Sequence, residues 1–548
     1  MKKLAITTGD PAGIGPEITS KALRFYNLDP DIIYIVYGRF LPYPDGCQLV
    51  KIKEPAEAVK PGVVYWIEID DPSIKPGSPG KVSGYTALNI LQHCTADLQS
   101  NKIQGVVTCP VAKATIRLHE PDFIGHTEFF AAASDCDEVI MSFWGPYFNL
   151  ALLTTHTAVC KVSGQLTREI CHRKLTLIHR EANKILKQPR LALLALNPHA
   201  GELGAFGRED EMLTSVLQEL AQDNILIDGP FPADTFFSSH ARNYDLIISA
   251  YHDQGLIPFK MISAQQGVNV TLGLPFVRTS VDHGTAFDIA GQGTASEHSL
   301  EHALQMAESL LTGQQKKQDY NYQTFARFYD KYMEHVCYDD WVQFVLDQYN
   351  RIHQQQPERI LELACGTASV ASRLVRKNLQ VEASDLSPEM LKIAAERPFP
   401  PILSCRDMLA PLPGSAYDMI LLLFDSFNYL LKKQQIKKLF NNIQHGLTNK
   451  GIFIFDISTM LNCEENFDGF INLEDEPDQY LIHQSELDHR HNLQITRLTF
   501  FLRKGYQFVR EDEVHYQKIY PVQEIIDLIA ESKLKLEGLF SIGRNDNL

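Results

Sequence analysis

The chain has 548 residues, 44% of them hydrophobic, and a formal net charge of −16. That length exceeds what one ordinary core organises, so two or more domains are expected; the acidic balance argues against broad nucleic-acid binding, and no stretch approaches the roughly 18 apolar residues of a membrane span. The 10 cysteines show no C-x-x-C spacing, and several, such as Cys109, Cys160 and Cys365, fall in or beside apolar strands, which predicts reduced, buried thiols in a cytoplasmic protein.

The amino terminus carries two lysines but no apolar run long enough for a signal peptide. Its strand runs at once into TTGDPAGIGPE, residues 7 to 17. Gly13 and Gly15 make only part of a dinucleotide fingerprint there, and a strand-to-helix turn is the better reading. CPVAKATI (109 to 116) and GHTEFF (125 to 130) follow, offering Lys113, His126 and Thr127. A His–Thr pair after glycine gives a phosphate an imidazole, a hydroxyl and free backbone N–H groups.

Three apolar runs then read as buried strands, FNLALLTT, LALLALN and DLIISAY, and each leads into a turn holding a histidine: His156, His199 and His252. Strand ends are where α/β folds place their chemistry. Neutral imidazole is the common ligand of a borderline-soft divalent metal, and a catalytic site takes about three protein ligands with one position open. The three histidines are therefore candidate metal ligands. Lys260 follows, and then GVNVTLGLPFVRTSVDHGTAFDIAG (267 to 291) with Asn269, Arg278, Asp282 and His283. Lys and Arg converging with His and Asn describe a pocket for a small, doubly anionic substrate.

Together, TTGDPAGIGPE, GHTEFF, NPHAGE, GPFPADTFF (229 to 237), YHDQGL and GVNVTLGLPFVRTSVDHGTA closely resemble the 4-hydroxythreonine-4-phosphate dehydrogenases, from about residue 3 to 312. The resemblance implies an α/β fold related to the isocitrate and isopropylmalate dehydrogenases. It also implies a homodimer with a shared active site, NAD (or NADP), and a divalent metal (zinc, magnesium, manganese or cobalt). It makes His156, His199 and His252 the metal ligands and His126, Thr127, Lys260, Asn269 and Arg278 the substrate ligands. NAD would take hydride from the carbinol carbon of a β-hydroxy acid while the metal polarises the oxygen. The β-keto acid then loses carbon dioxide, with Lys260 as the catalytic cation that steadies the enolate. Threonate or erythronate 4-phosphate is an alternative substrate.

After the helix-like EHSLEHALQMAESLL the composition turns polar, at TGQQKKQDYNYQ. This predicts domains at 1–312 and 322–548 with a linker at 313–321. One or two amphipathic helices come next. A strand then ends at Glu362 in the turn of ERILELACGTAS, a second ends at Asp385, a third precedes Asp407, a fourth is read over 417 to 431 and a fifth is GIFIFDIST. This alternation predicts a doubly wound parallel sheet. The alternation in residues 479 to 509 predicts antiparallel strands, and LKLEGLFS near the end reads as one more strand.

The series resembles class I S-adenosylmethionine-dependent methyltransferases across about 322 to 548. By that resemblance Glu362, Ala364, Gly366, Asp385 and Asp407 bind S-adenosylmethionine, and Asp425, Asn428 and Tyr429 face the methyl acceptor, although helix capping and packing explain these three equally well. Ala364 and Ala368 stand where the family usually has glycines, and the fold's last antiparallel strand is not evident. The whole chain thus reads as a Rossmann-like methyltransferase, with an antiparallel insertion, fused behind a dehydrogenase; a non-catalytic sensing or assembly module is the alternative for the second half.

Overall fold

The structure, a computed structural model, describes residues 1–43, 45–263, 266–313, 321–504 and 507–541. The chain divides into two compact units. The first holds Met1–Arg24, Leu28–Tyr43 and Cys47–Lys317; the second holds Phe25–Asn27 and the chain from Gln318 on. Most of the expected linker, and the closing residues 542–548, lie outside the described residues.

The strands of the first unit are β1 (Lys2–Thr7), β2 (Ile32–Tyr37), β3 (Gln48–Lys51), β4 (Val63–Ile67), β5 (Gly105–Thr108), β6 (Ile140–Trp144), β7 (Leu150–Leu152), β8 (Leu191–Leu194), β9 (Asp228–Phe231), β10 (Leu246–Ser249), β11 (Val268–Leu272) and β12 (Val277–Ser280). Among the described residues they form one sheet in the order β3-β4-β2-β1-β5-β12-β11-β6-β7-β10-β8-β9. Its middle is antiparallel, because β11 opposes both β12 and β6, and β6 opposes β7. Its flanks are parallel, with β1 between β2 and β5 and β10 between β7 and β8. The unbroken apolar runs of β2, β8 and β10 are buried along their whole length, as strands covered on both faces are. Residues 7 to 17 make the turn from β1 into the helix Gly15–Arg24; a Cβ on Gly15 would stand 1.9 Å from the Thr8 carbonyl oxygen, so only glycine fits.

Sequence punctuation sets the helix ends. The Thr167 hydroxyl accepts from the Ile170 N–H at the start of Arg168–Ile185, and Gly313, with φ +69°, closes His298–Thr312. Cys109 and Cys365 are buried as expected, but Cys160 is exposed, because its segment is the surface helix Val159–Gln165 and not a strand.

The second unit holds two sheets among the described residues. β13 (Arg359–Leu363), β14 (Gln380–Asp385), β15 (Ile402–Cys405), β16 (Tyr417–Leu422) and β17 (Leu447–Phe455) run parallel in the order β15-β14-β13-β16-β17. This is the expected doubly wound sheet. The order reverses between β13 and β16, the switch point beyond whose carboxyl strand ends sheets of this kind take their ligands. β18 (Phe470–Glu476), β19 (Gln479–Asp488), β20 (Leu493–Lys504) and β21 (Gln507–Lys518) form an antiparallel meander, of which β19, β20 and the start of β21 are the antiparallel strands expected over residues 479 to 509. Its inner face sets Leu481, Leu498, Phe500 and Leu502 against Phe325, Phe328, Tyr329 and Tyr332.

Two strand expectations are corrected. The run 417 to 431 stops at Leu422, because Phe424 and Asp425 turn left-handed (φ +57° and +49°) into the short helix Ser426–Tyr429. Residues 534 to 541 form no strand. They find no ladder; Leu539 stays exposed, and Phe540 packs edge-on against Phe344.

Candidate functional site

In the first unit the three parallel neighbours β7, β10 and β8 end side by side, and each leads to one of the expected histidines. His156 follows β7 in a left-handed conformation, with Nδ1 3.3 Å from Glu128 Oε1. His199 opens a run of left-handed residues, 199 to 203, with Nδ1 2.6 Å from Glu202 Oε1. His252 starts the helix His252–Ser263, with Nδ1 2.7 Å from Asp253 Oδ1. A carboxylate at Nδ1 fixes the tautomer and turns the other nitrogen outward, as metal-binding imidazoles require. Each histidine alone suits a metal. One chain does not gather them, however: among the described residues no group of three His, Cys, Asp or Glu side chains stands together as a cation site.

The expected substrate ligands do converge in part, around Arg278 on β12. This guanidinium is only 3% exposed. Nη1 donates to Thr271 Oγ1 at 2.9 Å, to Thr127 Oγ1 at 3.4 Å and to Asn269 Oδ1 at 3.5 Å; Nη2 donates to Thr108 Oγ1 at 3.0 Å. All four acceptors are uncharged, and Nε has no partner. Burial pulls Arg278 down to about 10, against the field of Glu128. His126 heads the helix His126–Ala133, and its Nε2 is likewise buried without a partner. Burial first, then the fields of Arg278 and Lys113, lower its pKa to about 3, so the ring is neutral at physiological pH. Lys260 stands apart from this group, paired with Asp282 at 3.0 Å. Thr108, Thr271 and Glu128 escaped the sequence reading: threonines within strands look like ordinary β formers, and only the fold turns their hydroxyls onto Arg278.

In the second unit the turn after β13 is left-handed at Ala364 (φ +49°), Gly366 (φ +53°) and Ala368 (φ +56°). Asp385, at the end of β14, braces this turn: Oδ2 accepts the Gly366 N–H and Oδ1 the Ser387 N–H, both at 2.8 Å. Glu362 points inward, accepting the Ala371 N–H at 2.8 Å, and burial raises it to about 8. Asp407 lies beyond β15 and accepts the Leu409 N–H.

Of the residues expected to face an acceptor, Asn428 is spent elsewhere. It is wholly buried, donates to the Lys518 and Ser458 carbonyls and accepts from the Ser458 N–H, so its amide is spent on stapling backbone. Asp425 sits at the carboxyl end of β16, where its N–H donates to Asp456 Oδ2 at 2.9 Å. Burial first, then Asp456, raise Asp425 to about 7. Tyr429 Oη lies 2.8 Å from both Tyr322 Oη and His515 Nδ1.

With this geometry in hand, comparison with known proteins separates the two units. The family model for pyridoxal phosphate biosynthetic protein PdxA matches residues 34–307. A 4-hydroxythreonine-4-phosphate dehydrogenase from Aquifex aeolicus is 37% identical over 318 residues, which is 57% of this chain and 98% of that protein. The chain belongs to the PdxA family. A dehydrogenase of the same name from Zymomonas mobilis is 38% identical over 318 residues, covering 56% of this chain and 95% of its own. The crystal structure of the Klebsiella pneumoniae 4-hydroxythreonine-4-phosphate dehydrogenase aligns with a TM-score of 0.50 at 31% identity, over 57% of this chain and 99% of that one. A separate family model, described as a methyltransferase domain, matches residues 360–451. The chain therefore joins a PdxA-family dehydrogenase to a methyltransferase domain.

Proposed function

We propose that the first unit oxidises 4-phosphohydroxy-L-threonine, with loss of carbon dioxide, to 3-amino-2-oxopropyl phosphate, on the way to pyridoxal phosphate. The observation that carries this reading is Arg278. A buried cation with no carboxylate hydrogen-bonded to it costs several kcal/mol, and an anionic ligand offsets that cost with charge-assisted hydrogen bonds. Arg278 and the unpartnered His126 nitrogen bind the phosphate in this reading, with the Thr127 hydroxyl and the Asn269 amide fixing its orientation. Lys260, oriented by Asp282, holds the carboxyl end and steadies the enolate left by decarboxylation. NAD, when bound, supplies the hydride acceptor. Because one chain keeps its three imidazoles apart, we place the metal between two copies of the chain in a homodimer.

A product assay tests this: the full chain is given 4-phosphohydroxy-L-threonine, NAD and a divalent metal, and 3-amino-2-oxopropyl phosphate is the expected product. Faster turnover of threonate 4-phosphate would overturn the substrate assignment.

For the second unit we infer methyl transfer from S-adenosylmethionine. The left-handed turn after β13, the Asp385 brace and the reversal of strand order beside them support it. Calorimetric titration with S-adenosylmethionine is the test. Binding is expected, and Asp385→Ala should abolish it.

A further inference from the structure

A line of polar contacts in the second unit runs from Tyr322 into the antiparallel sheet. Tyr322 Oη, Tyr429 Oη and His515 Nδ1 are linked at 2.8 Å each, and His515 Nε2 lies 3.2 Å from Glu513 Oε2. The last two side chains are only 4% and 10% exposed. Glu513 sets the direction of the line. It accepts the backbone N–H groups of Tyr322, Thr324 and Phe325. Burial pushes its carboxyl up, but the His515 contact and the Phe325 and Thr324 N–H groups outweigh it and hold it below the usual range. An ionised carboxylate only accepts, so His515 Nε2 carries the proton and Nδ1 keeps its lone pair. Tyr429 then donates to Nδ1, and Tyr322 donates to Tyr429. The oxygen of Tyr322 is the outer end of the line. Tyr322 adjoins the segment after β14: the Ser387 hydroxyl holds the Tyr322 carbonyl at 2.8 Å, and the fields of Asp425 and Asp385 both reach its buried phenol. An imidazole fixed by a carboxylate in one tautomer is the arrangement that accepts a proton in hydrolytic triads.

We propose that Tyr322, Tyr429 and His515, anchored by Glu513, form a proton relay for methyl transfer and that the acceptor nucleophile is an amine nitrogen. The proposal rests on the methyltransferase reading above. In the step, the arriving ammonium first gives up one proton, and the lone pair this frees attacks the methyl carbon of S-adenosylmethionine. The N–C bond forms, the C–S bond breaks, and its electron pair stays on sulfur as a neutral thioether. The proton given up beforehand goes to Tyr322 Oη as the Tyr322 proton passes to Tyr429 and the Tyr429 proton passes to Nδ1, and the methylated product leaves as an ammonium. His515 ends as an imidazolium beside the Glu513 carboxylate. Charge selects nitrogen over oxygen. Asp425 and Asp456 stand at the ends of β16 and β17, and Asp456 Oδ1 has no hydrogen-bond partner. Among the described residues no Lys or Arg pairs with either. The field of Asp425 also reaches the phenols of Tyr322, Tyr329 and Tyr429. Carboxylates among aromatic rings favour a group that arrives as an ammonium, and they oppose the negative charge that develops on an alcohol oxygen.

The test uses the full chain. It is first titrated with S-adenosylmethionine; absence of binding would overturn the methyltransferase reading itself, and the relay with it. With binding established, methyl-labelled cofactor is offered with benzylamine, benzyl alcohol and 2-aminoethanol. Label is expected on nitrogen only; label on oxygen, or on none of the probes, overturns the amine relay. Tyr429→Phe and His515→Ala should each lower kcat by roughly 10²–10⁴-fold, the range of a lost general base. Cofactor affinity should stay as it was, and the rate should rise with pH where wild type is flat. Added imidazole should restore part of the His515→Ala rate. Unchanged kcat, or lost rate without imidazole rescue, assigns these contacts to folding alone and overturns the proposal.

Discussion

Arg278 is held by hydroxyls and an amide where a structural arginine would have a carboxylate, and this decides what its replacement does. Arg278→Lys keeps the charge but cannot span Thr108, Thr127 and Thr271. The KM for the phosphorylated substrate should rise by roughly 10- to 150-fold, the equivalent of one charged hydrogen bond. Arg278→Met should raise KM further while the melting temperature holds or climbs, because a desolvated charge has been removed. A large fall in melting temperature would show that the guanidinium serves the fold. His126 next to it predicts a pH effect. The ordinary histidine value is 6.5 and the folded value is about 3. As pH falls below 6.5 the unfolded chain takes up the proton first, so the stabilising contribution is complete above 6.5 and drains away toward 3. By pH 5 the loss is about 2 kcal/mol. Urea midpoints at pH 7 and pH 5 should diverge more for wild type than for His126→Gln. In the second unit the left-handed alanines invite substitution. Ala364→Gly relieves about 1–2 kcal/mol of strain and returns about 0.4–1 kcal/mol as unfolded-state entropy, so a modest rise in thermal stability is expected. Ala368 gains less from glycine, because its methyl is fully buried in the core.

At the scale of elements, β7, β10 and β8 bring three histidine-bearing turns to one edge of the first unit without bringing the histidines together. Chelation should abolish dehydrogenase turnover, and a divalent metal should restore it; full activity in a metal-free preparation would refute the metal site. If two copies share the ligands, His156→Ala and His252→Ala chains are each inactive alone. Mixed and reassociated, they should recover roughly a quarter of wild-type activity, because half the dimers are mixed and each mixed dimer holds one intact site. No recovery would mean that these two histidines act from the same chain. The strands that carry these turns were legible because unbroken apolar runs admit little besides a buried strand, and β19 and β20 were legible from the alternation in residues 479 to 509, whereas β18 and most of β21 lie outside it. The end of β16 was hidden, because LLLFDSFNYLL stays apolar through the turn and only the left-handed Phe424 and Asp425 break it. LKLEGLFS alternates as a strand does, yet pairing needs a partner edge that sequence cannot display. The setting of Arg278 and the Glu513–His515 line were equally invisible. Thr108 lies 170 positions from Arg278 and Glu513 lies 191 from Tyr322, so neither contact leaves a local signal.

At the scale of the whole molecule, the chain carries two units that each have their own sheets and cores. All the substrate and metal candidates of the dehydrogenase lie before Lys317. A chain ending there should fold, form the proposed homodimer and act as a dehydrogenase, with kcat within about two-fold of the full chain, since each unit has its own core. Sedimentation and a turnover assay check this, and an aggregated product would show that the second unit supports the first. Joining two units in one polypeptide also ties their fates in the cell. The two are made in strict equimolar amounts, whatever the promoter strength. Quality control acts on the whole chain, so a lesion in one unit removes the other with it. A loss of about 1–2 kcal/mol can change the abundance of a marginally stable protein several-fold. A substitution that hollows the core around Leu361 and Phe427 should therefore lower the cellular amount of dehydrogenase while leaving its turnover per molecule untouched, and quantitative blotting beside a specific-activity assay would show both.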